Sequence, residues 1–326
     1  MKQKTLLLGL TAFLLVFIIS LCSGVYYIPP EKVFLTLIGA NSNHIYQTVI
    51  LQIRLPRIIM DILVGAGLSA AGASYQALFK NPLVSPDILG VASGAAFGAA
   101  LAILLNLNLY YIQIFAFLFG ILSVILTLLL AKKGKEIPIL GLIISGIVIG
   151  AFFTSLIGII KYLADTQNQL PQIVFWMLGS FANVGWNNLS TMLIIFFCIL
   201  FLYMFRWQLN IASLTEEEAK SLGSNTLIMK IIIISLSTLV TSASVSIVGI
   251  IGWIGLISPH ISRFITGADN TKVIPASMLF GSIFLMISDD FARSLTSGEL
   301  PIGILTSLIG APIFAYIYRK IYRTVS

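Results

Sequence analysis

Charge is scarce in this chain. Only 10% of its 326 residues are Asp, Glu, Lys or Arg, against roughly 25% in a typical soluble domain. A chain that is also 58% hydrophobic cannot cover a water-facing surface, which excludes a soluble globule and leaves an integral membrane protein. There are two cysteines, Cys22 and Cys198, in separate apolar segments, so neither a disulfide framework nor a thiolate metal site is indicated. The two histidines, His44 and His260, lie far apart, and no paired-histidine metal motif exists. A phosphate-cradling G-x-x-x-x-G-K-[ST] loop is missing, so this chain is not itself an ATP-hydrolysing subunit. A nucleophile elbow is missing too, and with it any footing for an intramembrane protease. No catalytic residue, metal or cofactor is expected. The alternation of a β-barrel span is absent from runs such as 112–130, which are apolar throughout.

What the chain has is apolar runs. A membrane-crossing helix needs about 20 apolar residues. Candidate runs lie near 5–26, 55–79, 89–106, 112–131, 138–161, 188–207, 228–249, 252–266, 273–293 and 302–319. The expectation is an all-α polytopic membrane protein of about ten helices, a single membrane domain over 1–326. The first run is longer than the apolar core of a signal peptide, so it is read as a retained helix. The net charge of +7 follows topology rather than nucleic acid. With the N-terminus inside, fourteen basic residues fall on the inner side (Lys2, Lys4, Lys80, Lys132, Lys133, Lys135, Arg206, Lys220, Lys230, Arg263, Lys272, Arg319, Lys320, Arg323). Five fall outside (Lys32, Arg54, Arg57, Lys161, Arg293). That is the positive-inside bias, and it places both termini in the cytoplasm.

The stretch 54–100 carries the densest pattern. Arg54 and Arg57 flank Pro56, which suits a first helical turn. Nine of the ten residues 65–74 are Gly, Ala or Ser. Little side-chain area is available there, so such a helix is stable only where other helices close around it; Gly65 and Gly72 are expected packing points. Pro82 and Pro86 then break the chain, and Gly90, Gly94 and Gly98 are expected to give the next helix one smooth face. Asp61 follows Arg57 by four residues, so the two are expected to pair on one helical face.

Further on, Leu214-Thr215-Glu216-Glu217-Glu218-Ala219-Lys220-Ser221-Leu222-Gly223 encodes a short self-contained helix. Thr215 can cap it and Glu218 can reach back, a capping box, while Gly223 suits the left-handed stop. Glycine-rich sequence precedes Ser258-Pro259-His260-Ile261-Ser262-Arg263. Asp289-Asp290-Phe291-Ala292-Arg293 is followed by Glu299-Leu300-Pro301-Ile302-Gly303 and by Gly310-Ala311-Pro312. Carboxylates inside a span demand a partner or a function; Asp289 and Arg293 are spaced to pair. Trp176, Leu178, Gly179, Ser180 and Trp186 punctuate an external connection over 164–187.

Taken together, these strings resemble the FecCD family, the permeases of iron-siderophore, haem and vitamin B12 uptake in ABC importers, from about Arg54 to Arg319. The resemblance implies a type II ABC importer permease fold in a bacterial cytoplasmic (inner) membrane. It implies a second permease copy, two ATP-binding subunits, an extracytoplasmic solute-binding protein and membrane lipids as partners, and no nucleic acid. The cargo it implies is a metal chelate, foremost a ferric siderophore, with haem, cobalamin or molybdate as further members of the class. It assigns coupling to the ATPase to the segment about 213–225 (Glu217, Glu218, Ala219, Ser221, Leu222, Gly223) and to Pro259, His260 and Arg263. It assigns docking of the binding protein to Arg54, Arg57 and Arg293. Asp61 departs from the family pattern, which has a small or apolar residue there. The rival reading is a secondary transporter or channel not driven by ATP. It would need ionisable residues near the bilayer midplane, whereas here they cluster toward span ends.

Overall fold

The computed structural model describes residues 3–325 apart from 42, 135 and 297; for 3–6, 216, 318 and 320–325 it describes the backbone alone. Of the basic residues assigned to the inner side, Lys2 and Lys135 lie outside the described residues. The helices are α1 (Gln3–Cys22), α2 (Pro30–Leu37), α3 (His44–Gln47), α4 (Leu55–Leu78), α5 (Val91–Leu104), α6 (Leu109–Ala131), α7 (Ile139–Leu163) and α8 (Gln169–Leu178). They continue as α9 (Leu189–Met204), α10 (Gln208–Ala212), α11 (Glu216–Ser221), α12 (Thr226–Val248), α13 (Ile254–Thr266), α14 (Asn270–Leu295) and α15 (Ile302–Val325). No strand occurs among the described residues. Each expected apolar run holds a helix. Among the described residues, five helical stretches are long and apolar enough to cross a membrane: Leu109–Ala131, Ile139–Leu163, Trp186–Met204, Thr226–Val248 and Asn270–Leu295. The others are short, as α5 and α13 are, or diluted by small and charged residues, as α4 is.

Helix α4 is the axis of the fold. Every residue from 64 to 78 is buried, because α14, α12, α13 and α9 surround it. The small residues permit that enclosure. A Cβ on Gly65 would overlap the carbonyl of Gly281 on α14, and one on Gly72 would overlap the carbonyl oxygen of Gly255 on α13. Gly94 and Gly98 meet the backbone of Phe119 and Phe115 in the same way, seating α5 on α6. Gly90 differs from expectation. It stands before α5 with φ 80°, as a left-handed junction rather than part of the helical face. The backbone N–H of Ala92, in the first turn of α5, is taken instead by Asp87 Oδ1 at 2.7 Å.

Pro56 does not open its helix from a free start. A π-helical stretch, Thr48–Arg54, runs straight into α4. Proline removes one donor and crowds the preceding turn, and the wider π register accommodates both. The connection 164–187 is likewise more ordered than a surface link. It contains α8, which packs on α5 and α15. Ser180 N donates to Val248 O (2.9 Å) and Ile302 N to Gly179 O (3.0 Å), while Trp186 Nε1 donates to Leu51 O (2.9 Å). The motif residues therefore knit the ends of α12, α15 and the π stretch together.

Large apolar side chains stay exposed along α1, α6, α7 and α9, among them Leu14, Leu118, Ile125, Ile147, Phe152, Phe196 and Phe197. In water such area would drive aggregation; lipid or another membrane subunit covers it without cost.

Candidate functional site: a charge network and a capped helix at the opposite end

The first turns of α4 and the last turns of α14 are joined by charge. Arg57 makes a two-pronged contact with Asp289 (Nε–Oδ2 2.8 Å, Nη2–Oδ1 2.8 Å) and a second with Glu299 (Nη1–Oε1 3.0 Å, Nη2–Oε2 2.9 Å). Such paired forks are the strongest guanidinium–carboxylate geometry. Arg293 donates to Asp290 and to the Ser20 carbonyl, and Ser20 Oγ donates to Asp290 Oδ2 at 2.7 Å. Arg54 donates to the carbonyls of Leu21 (2.6 Å) and Tyr26. The three guanidiniums thus tie α1, α4, α14 and the turn before α15 into one unit.

One expectation is corrected here. Arg57 does not pair with Asp61; its donors are occupied by Asp289, brought up by α14, and by Glu299, brought up by the turn before α15. The expected Asp289–Arg293 ion pair forms, with Asp289 at 3.9 Å from Nε, while Asp290 takes a hydrogen bond from that guanidinium. Arg54, Arg57 and Arg293, the expected docking residues, are enclosed. They are 4%, 5% and 6% exposed, and their side chains are spent on internal partners. Glu299 is the member that sequence reasoning left out of the site. Its backbone lies at φ 50°, and its side chain keeps 30% exposure. The available signal was a carboxylate in an otherwise apolar neighbourhood.

At the opposite end, α11 forms as its sequence requires. Thr215 Oγ1 accepts from Glu218 N (3.3 Å), and Glu218 Oε2 accepts from Thr215 N (2.8 Å), closing the capping box. These bonds from the Thr215 backbone and hydroxyl hold the Glu218 carboxyl below its ordinary range. Gly223 stops the helix at φ 74°. Ala219 alone turns inward, at 2% exposure; Glu217, Glu218, Ser221 and Gly223 are exposed, and so is Leu222, at 63%. Leu222 is thus an apolar side chain left exposed at the end of a capped helix.

Pro259, His260 and Arg263 lie on α13, with Pro259 inside the helix. The His260 ring packs 5.7 Å from that of Phe314, and its Nε2 has no hydrogen-bond partner among the described residues. Arg263 Nη2 reaches Ala73 O at 3.4 Å. A cavity of about 230 Å³ is lined by Arg263, Lys80 and Ser213, so the arginine and the approach to α11 share one inner surface, whereas His260 turns toward α15. The base of that surface is fixed by Asp269, which accepts from Thr271 and from Asn210 Nδ2 (3.0 Å). Those hydrogen bonds, Thr271 first, hold its carboxyl far below the usual range.

Comparison with known proteins fits this arrangement. The model of the FecCD transport family matches residues 12–320. The chain belongs to the FecCD transport family. Similar curated proteins of this family include the molybdate import system permease MolB of Haemophilus influenzae, 40% identical over 98% of this chain and 96% of that one. The Fe(3+)-citrate import system permease YfmE of Bacillus subtilis is 36% identical over 98% and 96%. A solved structure described as an inward-facing, metal-chelate type ABC transporter superposes with a TM-score of 0.89 at 38% identity, covering 97% of this FecCD chain and 99% of the other.

Proposed function

We propose that this FecCD-family chain is the membrane-spanning, non-catalytic subunit of an ATP-driven importer of a metal complex, with an iron chelate as the cargo. The observation that carries the reading is α11: a fully capped cytoplasmic helix offering Leu222 outward, built to be pushed by another protein. A secondary transporter or channel has no use for such a surface. Two ATPase subunits bind there, two copies of the permease enclose the path, and a binding protein delivers cargo outside. The similarity to iron-citrate and haem permeases supports the iron chelate; the similarity to a molybdate permease makes molybdate the competing cargo.

The test uses the permease reconstituted with its ATPase and binding protein. Radiolabelled ferric citrate or a ferric siderophore should accumulate in proteoliposomes only with ATP inside the ATPase-facing compartment, while labelled molybdate should not. Molybdate uptake alone would replace the cargo, and ATP-independent uptake would overturn the reading. Leu222→Asp should abolish ATP-coupled uptake or release the ATPase during purification, since an unpaired charge in a packed contact costs several kcal/mol. Normal copurification together with normal uptake would remove α11 from the coupling role.

The orientation is part of the same proposal. Single cysteines at Ser213 and Asn168, in a background lacking Cys22 and Cys198, should react with an impermeant maleimide from opposite sides of the membrane. Labelling from one side would break the thread that puts α11 in the cytoplasm.

A further inference from the structure

Asp61 lies one helical turn deeper on α4 than Arg57 and is 1% exposed. Its Oδ1 has no hydrogen-bond partner among the described residues. The guanidiniums near it are committed elsewhere: Arg57 to Asp289 and Glu299, Arg293 to Asp290 and Ser20, Arg54 to two carbonyls of the α1 end. Counting the cluster gives three guanidiniums (Arg54, Arg57, Arg293) against four carboxyls (Asp61, Asp289, Asp290, Glu299). Three of those carboxyls accept hydrogen bonds from guanidiniums. The fourth, Asp61, is as enclosed as Asp289, each 1% exposed. The other elements packed on this part of α4 offer no relief. From α1 come only Ser20 and the Cys22 thiol, while α9 and α12 place no acid or base at this level. The basic residues of α12 and α13, Lys230 and Arg263, are at the inner ends, as is His260. A carboxylate buried without a countercharge costs far more than the same group carrying a proton.

We propose that Asp61 is a proton-binding site: the resting protein holds one proton on its carboxyl, and that proton balances the outer network at zero net charge. When the proton leaves to water at the outer face, past Glu299, the Asp61 carboxylate becomes a third competitor for Arg57, at the (i, i+4) spacing that favours pairing. Arg57 is drawn inward, and Glu299, the most exposed of its partners, is the first released. The turn before α15 is then loosened by loss of a proton.

Infrared spectroscopy of the full chain in nanodiscs reads the protonation directly. At pH 7 the protein should show a protonated-carboxyl C=O stretch that shifts with ¹³C-aspartate labelling and disappears in Asp61→Asn. Absence of that band from the wild type, or its persistence in the variant, overturns the proposal; Asp61 would then be ionised and balanced through water by Arg293, whose Nε makes no hydrogen bond among the described residues. The sign of the linkage gives a second readout. A carboxyl protonated when folded and ionised when unfolded makes stability fall as pH rises above about 4, the unfolded aspartate value. Between pH 5 and 7, the unfolding equilibrium of wild type relative to Asp61→Asn should move about tenfold per pH unit, measured by SDS titration in mixed micelles. A ratio flat with pH means no proton is held. Should Asp61→Asn fail to fold, Asp61→Glu keeps the carboxyl and should move the infrared band; an unmoved band overturns the assignment.

Discussion

Replacing Gly72 by valine should cost this protein its fold. The side chain would have to occupy the place of the Gly255 carbonyl oxygen, and that oxygen belongs to the backbone of α13, which cannot rotate away as a side-chain tip can. Overpacked cores typically lose about 1–3 kcal/mol through small shifts of neighbouring side chains. Here the only available shift is separation of α4 from α13, two helices held on their other sides by α12, α14 and α15. The loss should exceed that range. The expected result is little monodisperse protein on fluorescence-detected size exclusion and a steeply lowered thermal midpoint in detergent. Gly158→Val is the matched control: nothing lies within 4 Å of a Cβ at Gly158, so its midpoint should stay near wild type. If Gly72→Val has a normal midpoint, the close α4–α13 crossing is wrong.

The second large effect is expected at Arg57. Truncation to alanine takes both guanidinium hydrogen bonds from Asp289, which is 1% exposed and is left with Arg293 Nε at 3.9 Å, and it removes the guanidinium that holds Glu299 against α4. Breaking a buried ion pair by deleting one partner costs about 3–5 kcal/mol, because the survivor keeps its desolvation penalty. Arg57→Ala should therefore lower stability by roughly that amount in SDS titration, and Arg57→Ala with Asp289→Asn should recover part of it. The same cycle on Arg54 should show no such recovery, since its partners are backbone carbonyls. Non-recovery in the Arg57 cycle would mean that the arginine is valued for a contact outside this chain.

These two sites differ in how far the residues themselves reveal them. The enclosure of α4 is readable from nine small residues in ten, because a helix without side-chain area has no other way to be stable. The capping box at Thr215 and Glu218 is equally readable, since all its partners lie within four residues and its geometry is set by the helix alone. The partners of Arg57 are another matter. Local spacing pointed to Asp61 at i+4, and a contact 232 residues away prevailed, because two forked carboxylates outbid one at the wrong depth. Burial of the arginines was hidden for the same reason: a basic residue near a span end looks like an interface residue until other helices are seen to cover it.

By itself the sequence determined the class of environment, the positions of the apolar helices, the small-residue axis and the self-capped helix at Thr215. Each follows from composition or from interactions within one or two turns. Only the tertiary structure decided which carboxylate answers which guanidinium, that α8 and the Gly179 turn bind α12 to α15, that Gly90 is a junction rather than a packing face, and that Asp61 Oδ1 has no hydrogen-bond partner among the described residues. Those outcomes depend on the depth and rotation at which separate helices meet. Helix–helix depth is fixed by close backbone contacts such as Gly65–Gly281 and Gly72–Gly255, between residues that are hundreds of positions apart in the chain.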